Sequence, residues 1–328
     1  MHALLQYLQA EQPRINAVLD RLLADLNPLV RPVAEHVLAA GGKRLRPLLL
    51  LLTARSLGRD DDALYPLACS LEYLHSATLL HDDILDGAVL RRGRPAAHTL
   101  FGLAPTILAG DVLLALGNRL MADAGDARLA VCISKSIMAT ATGEVQEIAQ
   151  VGNINLTLAD YLEIITGKTA WLLQAACQCG AIAAGATPVQ EAAAARYGLD
   201  LGIAFQLVDD ALDYDATREK AGKPVGADLL EGKVTMPLLF YLEQAPAAEK
   251  EVLAGLMARL RQGDAPEQLA PLFAPFVQRV AACGGAQKTR DAAREYIRTA
   301  AAALDAFPAG REKDMLLEAV AYVVARER

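Results

Sequence analysis

The chain has 328 residues, 53% of them apolar and 22% charged, with a net charge of −7. That is ample for a large buried core, and the length alone sets a soft expectation of two domains. No block of like charge exceeds Asp60-Asp61-Asp62, so nothing draws the chain globally toward nucleic acid or anionic lipid, and any anion site has to be a local cluster.

From the N-terminus, MHALLQYLQAEQPRIN lacks a basic stretch followed by an apolar run, so no signal peptide is expected. Beyond it, apolar residues recur at helical spacing almost throughout, while period-two runs of β-branched residues are absent. The breaks are helix-to-helix punctuation: Gly41-Gly42, Gly58, Gly93-Arg94-Pro95, Gly102 with Pro105, Gly152-Asn153, Gly222-Lys223-Pro224 and Gly284-Gly285. Asp60, Asp61 and Asp62 follow one such break and are expected to cap a helix N-terminus. The pattern predicts an all-α chain of roughly ten or more helices and no sheet. No linker, low-complexity tract or fixed-period repeat divides it, so a single domain over 1–328 is expected. The longest apolar stretches, such as 47–54 and 180–186, are too short to span a bilayer. Cys69, Cys132, Cys177, Cys179 and Cys283 are odd in number, and Cys177-Gln178-Cys179 has the wrong spacing for a zinc knuckle. Buried reduced thiols and a cytoplasmic location follow.

One feature occurs twice: a D-D-x-x-D cluster closing an apolar helix. In His81-Asp82-Asp83-Ile84-Leu85-Asp86, Asp82 and Asp86 are i and i+4 on one helix face. In Gln206-Leu207-Val208-Asp209-Asp210-Ala211-Leu212-Asp213, residues Gln206, Asp209, Asp210 and Asp213 make a second stripe. Like charges at i,i+4 repel, and carboxylates rooted in apolar surroundings resist desolvation. A bound cation reverses both costs. Hard oxygen donors in this number suit Mg²⁺, which takes one or two carboxylates and completes its shell with phosphate oxygens and water. A solvated acidic face explains one cluster; it does not readily explain two.

Cations complement the carboxylates. Gly41-Gly42-Lys43-Arg44-Leu45-Arg46-Pro47 puts three after a glycine hinge, Arg91-Arg92-Gly93 follows the first cluster, Lys168-Thr169 follows Gly167 in an apolar helix, and Lys223 and Lys233 flank Asp228. Arg forks and Lys point charges both hold phosphate. The G-x-x-x-x-G-K-[ST] spacing is missing, so a nucleotide is disfavoured. His75, seven residues before Asp82 on nearly the same face, reads as a further diphosphate donor, whereas His81 and His98 read either as structural or as supports behind the groups that touch the ligand.

These motifs, in fixed order over 41–237, resemble the trans-polyprenyl diphosphate synthase family, most closely its long-chain bacterial members. The resemblance implies a bundle of antiparallel helices around a deep central cavity, a homodimer, several Mg²⁺ ions per site, and condensation of isopentenyl diphosphate with an allylic prenyl diphosphate. It implies that Lys43, Arg46, His75 and Arg92 hold isopentenyl diphosphate. It implies that Arg91, Lys168, Thr169, Gln206 and Lys223 hold the allylic diphosphate, with Lys233 nearby. Asp82, Asp86 and Asp209 are the implied leading Mg²⁺ ligands, with Asp83, Asp210 and Asp213 ligating or orienting. Lys168 joins Asp82, Asp86 and Asp209 as an implied catalytic group. A peripheral membrane contact is expected for release of a long product. One departure stands out: Gly87 and Ala88 replace the acidic and small polar residues frequent after the first cluster, and a glycine there is expected to loosen the helix by roughly 1 kcal/mol.

About one helical turn below Asp82, roughly 5.4 Å deeper, lie Thr78 and Ala77, both small. No aromatic floor stands there, so a product longer than geranylgeranyl is expected, octaprenyl as the single best length; closure by Leu74 or Tyr73 is the alternative. A short-chain farnesyl or geranylgeranyl synthase is the nearest rival. A terpene cyclase fits poorly because Asp209, Asp210 and Asp213 are all present. A non-catalytic subunit of a heteromeric synthase would be expected to lose a cluster, and only Gly87-Ala88 speaks for it.

Overall fold

A computed structural model describes residues 2–215 and 225–325. They are almost wholly helical: α1 His2–Leu23, α2 Arg31–Ala39, α3 Leu45–Ser56, α4 Leu64–Leu85, α5 Ala97–Phe101, α6 Leu103–Asp123, α7 Ala127–Gln150, α8 Leu158–Ile165, α9 Trp171–Ala183 and α10 Pro188–Leu212. Further helices run over Ala227–Leu230, Met236–Gln244, Ala247–Arg261, Pro266–Ala282, Gly285–Ala303 and Arg311–Ala325. The all-α expectation holds, with one exception. Leu90–Arg91 and Arg94–Pro95 form a two-residue antiparallel pair, with Arg91 opposite Arg94. Its loop is Arg92-Gly93, at φ 51° and 76°. Left-handed backbone at both loop positions matches the twist of a tight hairpin, and Gly93 makes it attainable.

The chain forms two compact units, each gathered from three segments: 1–137, 172–195 and 304–319 in the first, and 138–171, 196–303 and 320–328 in the second. In the first, α4 packs against α1, α3 and α6. Leu48 to Leu52 on α3 are each no more than 1% exposed. A helix apolar all round has to be interior, and each buried leucine contributes about 1.5–3 kcal/mol. Helix α6 closes tightly onto α4. A Cβ on Gly117 would lie 2.8 Å from Leu74, and one on Gly110 would lie 2.3 Å from the His81 ring, so only hydrogen fits at either position. His81 Nε2 also lies 3.1 Å from the Ile107 carbonyl, tying α4 to α6. Asp61 accepts the N–H of Ala63 at 2.9 Å, just outside the start of α4 rather than within it.

In the second unit, Met236–Gln244 lies so close to Gly285–Ala303 that a Cβ on Gly285 would meet the Pro237 carbonyl at 2.6 Å. Cys69, Cys132, Cys177 and Cys179 are buried free thiols, as expected; Cys283 is only half-buried. One described helix, α6, is long and apolar enough by length and composition to cross a membrane, and it packs against α4 in the first unit.

Candidate active site

In the first unit the site is built on the end of α4. Asp86 is the C-cap, and its N–H donates to the Asp82 carbonyl at 2.8 Å. Gly87 follows in the left-handed region, φ 61°. Its N–H donates to Ile84 O at 3.2 Å, while that of Ala88 donates to Asp83 O at 2.9 Å. This is a Schellman ending, in which glycine relieves the Cβ clash of a left-handed residue. The loosening expected of Gly87 is therefore corrected: it lies beyond the last helical turn and terminates it. The one feature favouring a non-catalytic subunit loses its force. Gly87→Ala should lower the thermal midpoint by a few degrees, for a cost of about 1–2 kcal/mol; a calorimetric midpoint at or above wild type would contradict the assignment.

This ending presents Asp82 half-buried and Asp86 exposed. Asp83 is turned inward, its side chain 3% exposed and in an ion pair with Arg91. Arg92, on the hairpin loop, donates to the Gly41 carbonyl, and its guanidinium would lie 3.1 Å from a Cβ on Gly42. The glycine hinge thus admits Arg92 against the loop that carries Lys43 and leads into α3, whose first turn carries Arg46. Arg44 in the same loop faces inward, to Glu72 at 2.6 Å and Leu38 O at 2.9 Å, and is structural.

His75 sits among these arginines. Burial, then the charges of Arg46, Arg92, Arg91 and Arg44, hold its pKa well below the usual imidazole value. Burial likewise lowers Arg46 to about 10; Glu72 opposes this and Arg92 adds to it. Cations crowded around a neutral imidazole repel one another, and an anion with several oxygens relieves that repulsion. A folded-state pKa below the unfolded value near 6.5 means the unfolded chain binds the extra proton as pH falls through 6.5. Stability is therefore full above that value and lost below it. Wild-type thermal midpoints should fall between pH 7 and pH 5 more steeply than those of His75→Gln. Parallel slopes would contradict the burial of a neutral His75.

Ala77 is fully buried, and Thr78 is half-buried on the Asp82 face, its hydroxyl donating to the His75 carbonyl at 2.9 Å. Tyr73 points elsewhere, donating to Leu19 O on α1 at 2.7 Å, and Leu74 packs on Gly117.

In the second unit, Lys168 and Thr169 lie in a π-helical turn, Thr166–Ala170, between α8 and α9. Such turns recur at functional sites. The turn fits against α7 because Gly143 and Gly167 have no side chains: a Cβ on Gly143 would meet Lys168 N at 2.4 Å. The Thr169 hydroxyl donates to Gln206 Oε1 at 3.0 Å, and Gln206 Nε2 donates to Asp210 Oδ1 at 2.8 Å. Tyr161 donates to the other Asp210 oxygen. Asp209 is half-buried; Asp210 and Asp213 are buried. Burial raises the Asp210 carboxyl to about 7, against the pull of its Tyr161 and Gln206 hydrogen bonds and with help from Asp209 and Glu147. Asp228 is raised to about 8, by burial and then by Asp210 and Asp213; its N–H donates to Asp213 Oδ2 at 3.1 Å. Lys233 pairs with Glu231 at 2.6 Å. Lys223 lies outside the described residues.

The sequence reading passed over three groups that touch this network: Glu144, Glu147 and Tyr161. Two glutamates at i and i+3 in an otherwise apolar stretch of α7 were the available signal. Asp228 was noted only for its flanking lysines.

The donors fit a hard divalent cation. They are carboxylate oxygens alone, and carboxyl groups pushed up by burial and mutual repulsion are those a cation would return to the ionised form. Among the described residues no three His, Cys, Asp or Glu side chains converge as a ready metal cage. Mg²⁺ needs none, because substrate phosphates and water complete its shell.

Residues 27–273 match the polyprenyl synthetase family model. The chain belongs to the polyprenyl synthetase family. This synthetase chain is 35% identical over 312 residues to octaprenyl diphosphate synthase of Escherichia coli (strain K12), covering 95% of this chain and 94% of that protein. Polyprenyl synthase from Caulobacter crescentus CB15, solved with calcium and isoprenyl diphosphate, superposes with a TM-score of 0.89 at 38% identity, covering 100% of this chain and 98% of that one. A decaprenyl diphosphate synthase from Rhodobacter capsulatus also gives 0.89, at 36% identity over 99% and 98% of the two chains. These relatives place the synthetase among all-α prenyl-transferring enzymes.

Proposed function

We propose that this chain, working as one synthase domain, joins isopentenyl diphosphate to an allylic prenyl diphosphate and repeats the step to a long all-trans product, octaprenyl being the favoured length. The arginine group around neutral His75, on the same helix whose end carries Asp82 and Asp86, supports the reading: donors suited to an anion stand one to two turns from carboxylates suited to a cation. Lys43, Arg46, His75 and Arg92 hold isopentenyl diphosphate. Arg91, Lys168, Thr169, Gln206 and Lys223 hold the allylic diphosphate, with Lys233 nearby.

Asp82, Asp86 and Asp209 would hold Mg²⁺, with Asp83, Asp210 and Asp213 fixing or completing the set. When bound, Mg²⁺ supplies positive charge to the departing diphosphate. The chain's own part is positional. Arg and Lys donors fix each diphosphate so that the allylic carbon and the attacking double bond are held together, a contribution of up to roughly 7–11 kcal/mol in favourable cases. Apolar helix faces keep water from capturing the cation formed when the allylic C–O bond breaks.

A homodimer belongs to the same proposal. Its support is α7, which leaves Val131, Met138 and Val145 more than half exposed at seven-residue intervals, with Ile148 three beyond. That is the spacing of a seam between two helices, and an apolar stripe of this kind calls for cover.

The reading is tested by incubating purified protein with farnesyl diphosphate and labelled isopentenyl diphosphate. Label should enter prenyl product with Mg²⁺ and not with EDTA. Folded protein that incorporates no label would overturn it.

A further inference from the structure

The ammonium of Lys168 is paired with two carboxylates. It lies 2.9 Å from Glu144 Oε2 and closer still to Glu147 Oε2. All three side chains are largely shielded, at 25%, 12% and 21% exposure. The arrangement is built rather than incidental. Gly143 and Gly167 bring α7 and the π-helical turn into backbone contact, and the one- and four-residue offsets of Glu144 and Glu147 from Gly143 aim both carboxylates at the ammonium. Burial alone would lower the lysine pKa; the glutamates more than offset it, so Lys168 stays charged.

The local sum is one positive charge against two negative, beside the carboxylates of Asp209, Asp210 and Asp213. A metal-free diphosphate, carrying several negative charges, meets net repulsion here although the implied phosphate-binding lysine is present. Structural pairing of Lys168 needs one carboxylate; a second on the same ammonium leaves the group net negative.

We propose that Glu144 and Glu147 act as positioning residues that make diphosphate binding at Lys168 conditional on a divalent cation. They hold the ammonium in reserve, so that it engages a diphosphate only when that diphosphate arrives with enough positive charge to offset the carboxylates. The site thereby discriminates a metal-complexed diphosphate from a bare one. This rests on the prenyl-transfer reading above and names a selectivity within it.

The test is equilibrium binding of inorganic diphosphate to the full chain, followed by the fluorescence of Trp171, its single tryptophan and three residues beyond Lys168. Dissociation constants are measured with Mg²⁺ and with EDTA for wild type, Glu147→Gln, Glu144→Gln and Glu163→Gln. Glu163 accepts from Gln146 Nε2 at 2.7 Å, so it controls for loss of one charge in the same region. The ratio of the EDTA constant to the Mg²⁺ constant should shrink about tenfold or more in Glu147→Gln, and in the same direction in Glu144→Gln, because unpaired lysine charge then attracts bare diphosphate. It should stay within about twofold in Glu163→Gln. Each glutamine keeps the side chain's shape, and a circular dichroism melt identifies any variant that fails to fold. An unchanged ratio in both Glu144→Gln and Glu147→Gln would overturn the inference while leaving prenyl transfer standing. Equal shrinkage in Glu163→Gln would also overturn it, by reducing the effect to overall charge. Failure of wild type to bind diphosphate even with Mg²⁺ would sink the underlying reading and the inference together.

Discussion

Alanine at Asp82 or at Asp209 should lower kcat by about 1,000-fold or more while the protein stays folded. An electrostatic partner of a developing anion is commonly worth about 3–4 kcal/mol, and each 1.36 kcal/mol is a factor of ten. The loss should fall on kcat and on the Mg²⁺ requirement. The KM for isopentenyl diphosphate should change little, because the groups proposed to hold it are the arginines around His75 and not these carboxylates. Stability should move the other way. Asp82 and Asp86 are like charges at i,i+4, so removing one in metal-free protein relieves roughly 0.2–0.5 kcal/mol of repulsion. Steady-state rates across a Mg²⁺ titration, with thermal melts in EDTA, check both halves. A variant that loses activity and also melts far below wild type would point to a structural carboxylate instead.

Tyrosine at Thr78 should shorten the main product to geranylgeranyl diphosphate or below. Thr78 is half-buried one turn beneath Asp82 on the same face of α4, so a large ring there lies in the path of a chain growing away from the aspartates. Ala77 is the second candidate, but it is fully buried. Ala77→Tyr therefore adds overpacking of about 1–3 kcal/mol to any effect on length. Thr78→Tyr is the cleaner experiment, and both are sized by chromatography of the dephosphorylated products. Unchanged length in both active variants would refute a floor at this level. Tyr73 would not then be the natural substitute, since its hydroxyl is fixed to α1.

The helical class and the first aspartate cluster were legible because both rest on period alone. Apolar residues every three or four positions predict helices, and Asp82 and Asp86 share a face whatever the neighbours are. What escaped depends on backbone conformation or on distant partners. Gly87 read as a flaw because its left-handed angle is visible only in three dimensions, where it closes α4. Lys168 read as a cation on an ordinary helix, since neither the π-helical turn nor its close packing on α7 at Gly143 and Gly167, 24 residues apart in sequence, has a periodic signature. The same contact hid Glu144 and Glu147, which reach Lys168 only through it. The Arg92-Gly93 hairpin was missed because its strands are two residues long, too short for any alternation to register. Asp83 and Asp210 carry the same chemistry in sequence as Asp82 and Asp209. Burial against Arg91 in one case, and against Tyr161 and Gln206 in the other, sets them apart.

The most direct test of the central claim is the size of the product formed from farnesyl diphosphate, excess labelled isopentenyl diphosphate and Mg²⁺. A ladder of intermediates ending at a long chain, with octaprenyl dominant, is the predicted result. A ladder that stops at geranylgeranyl would contradict the long-chain assignment, and absence of any elongated product would contradict prenyl transfer itself.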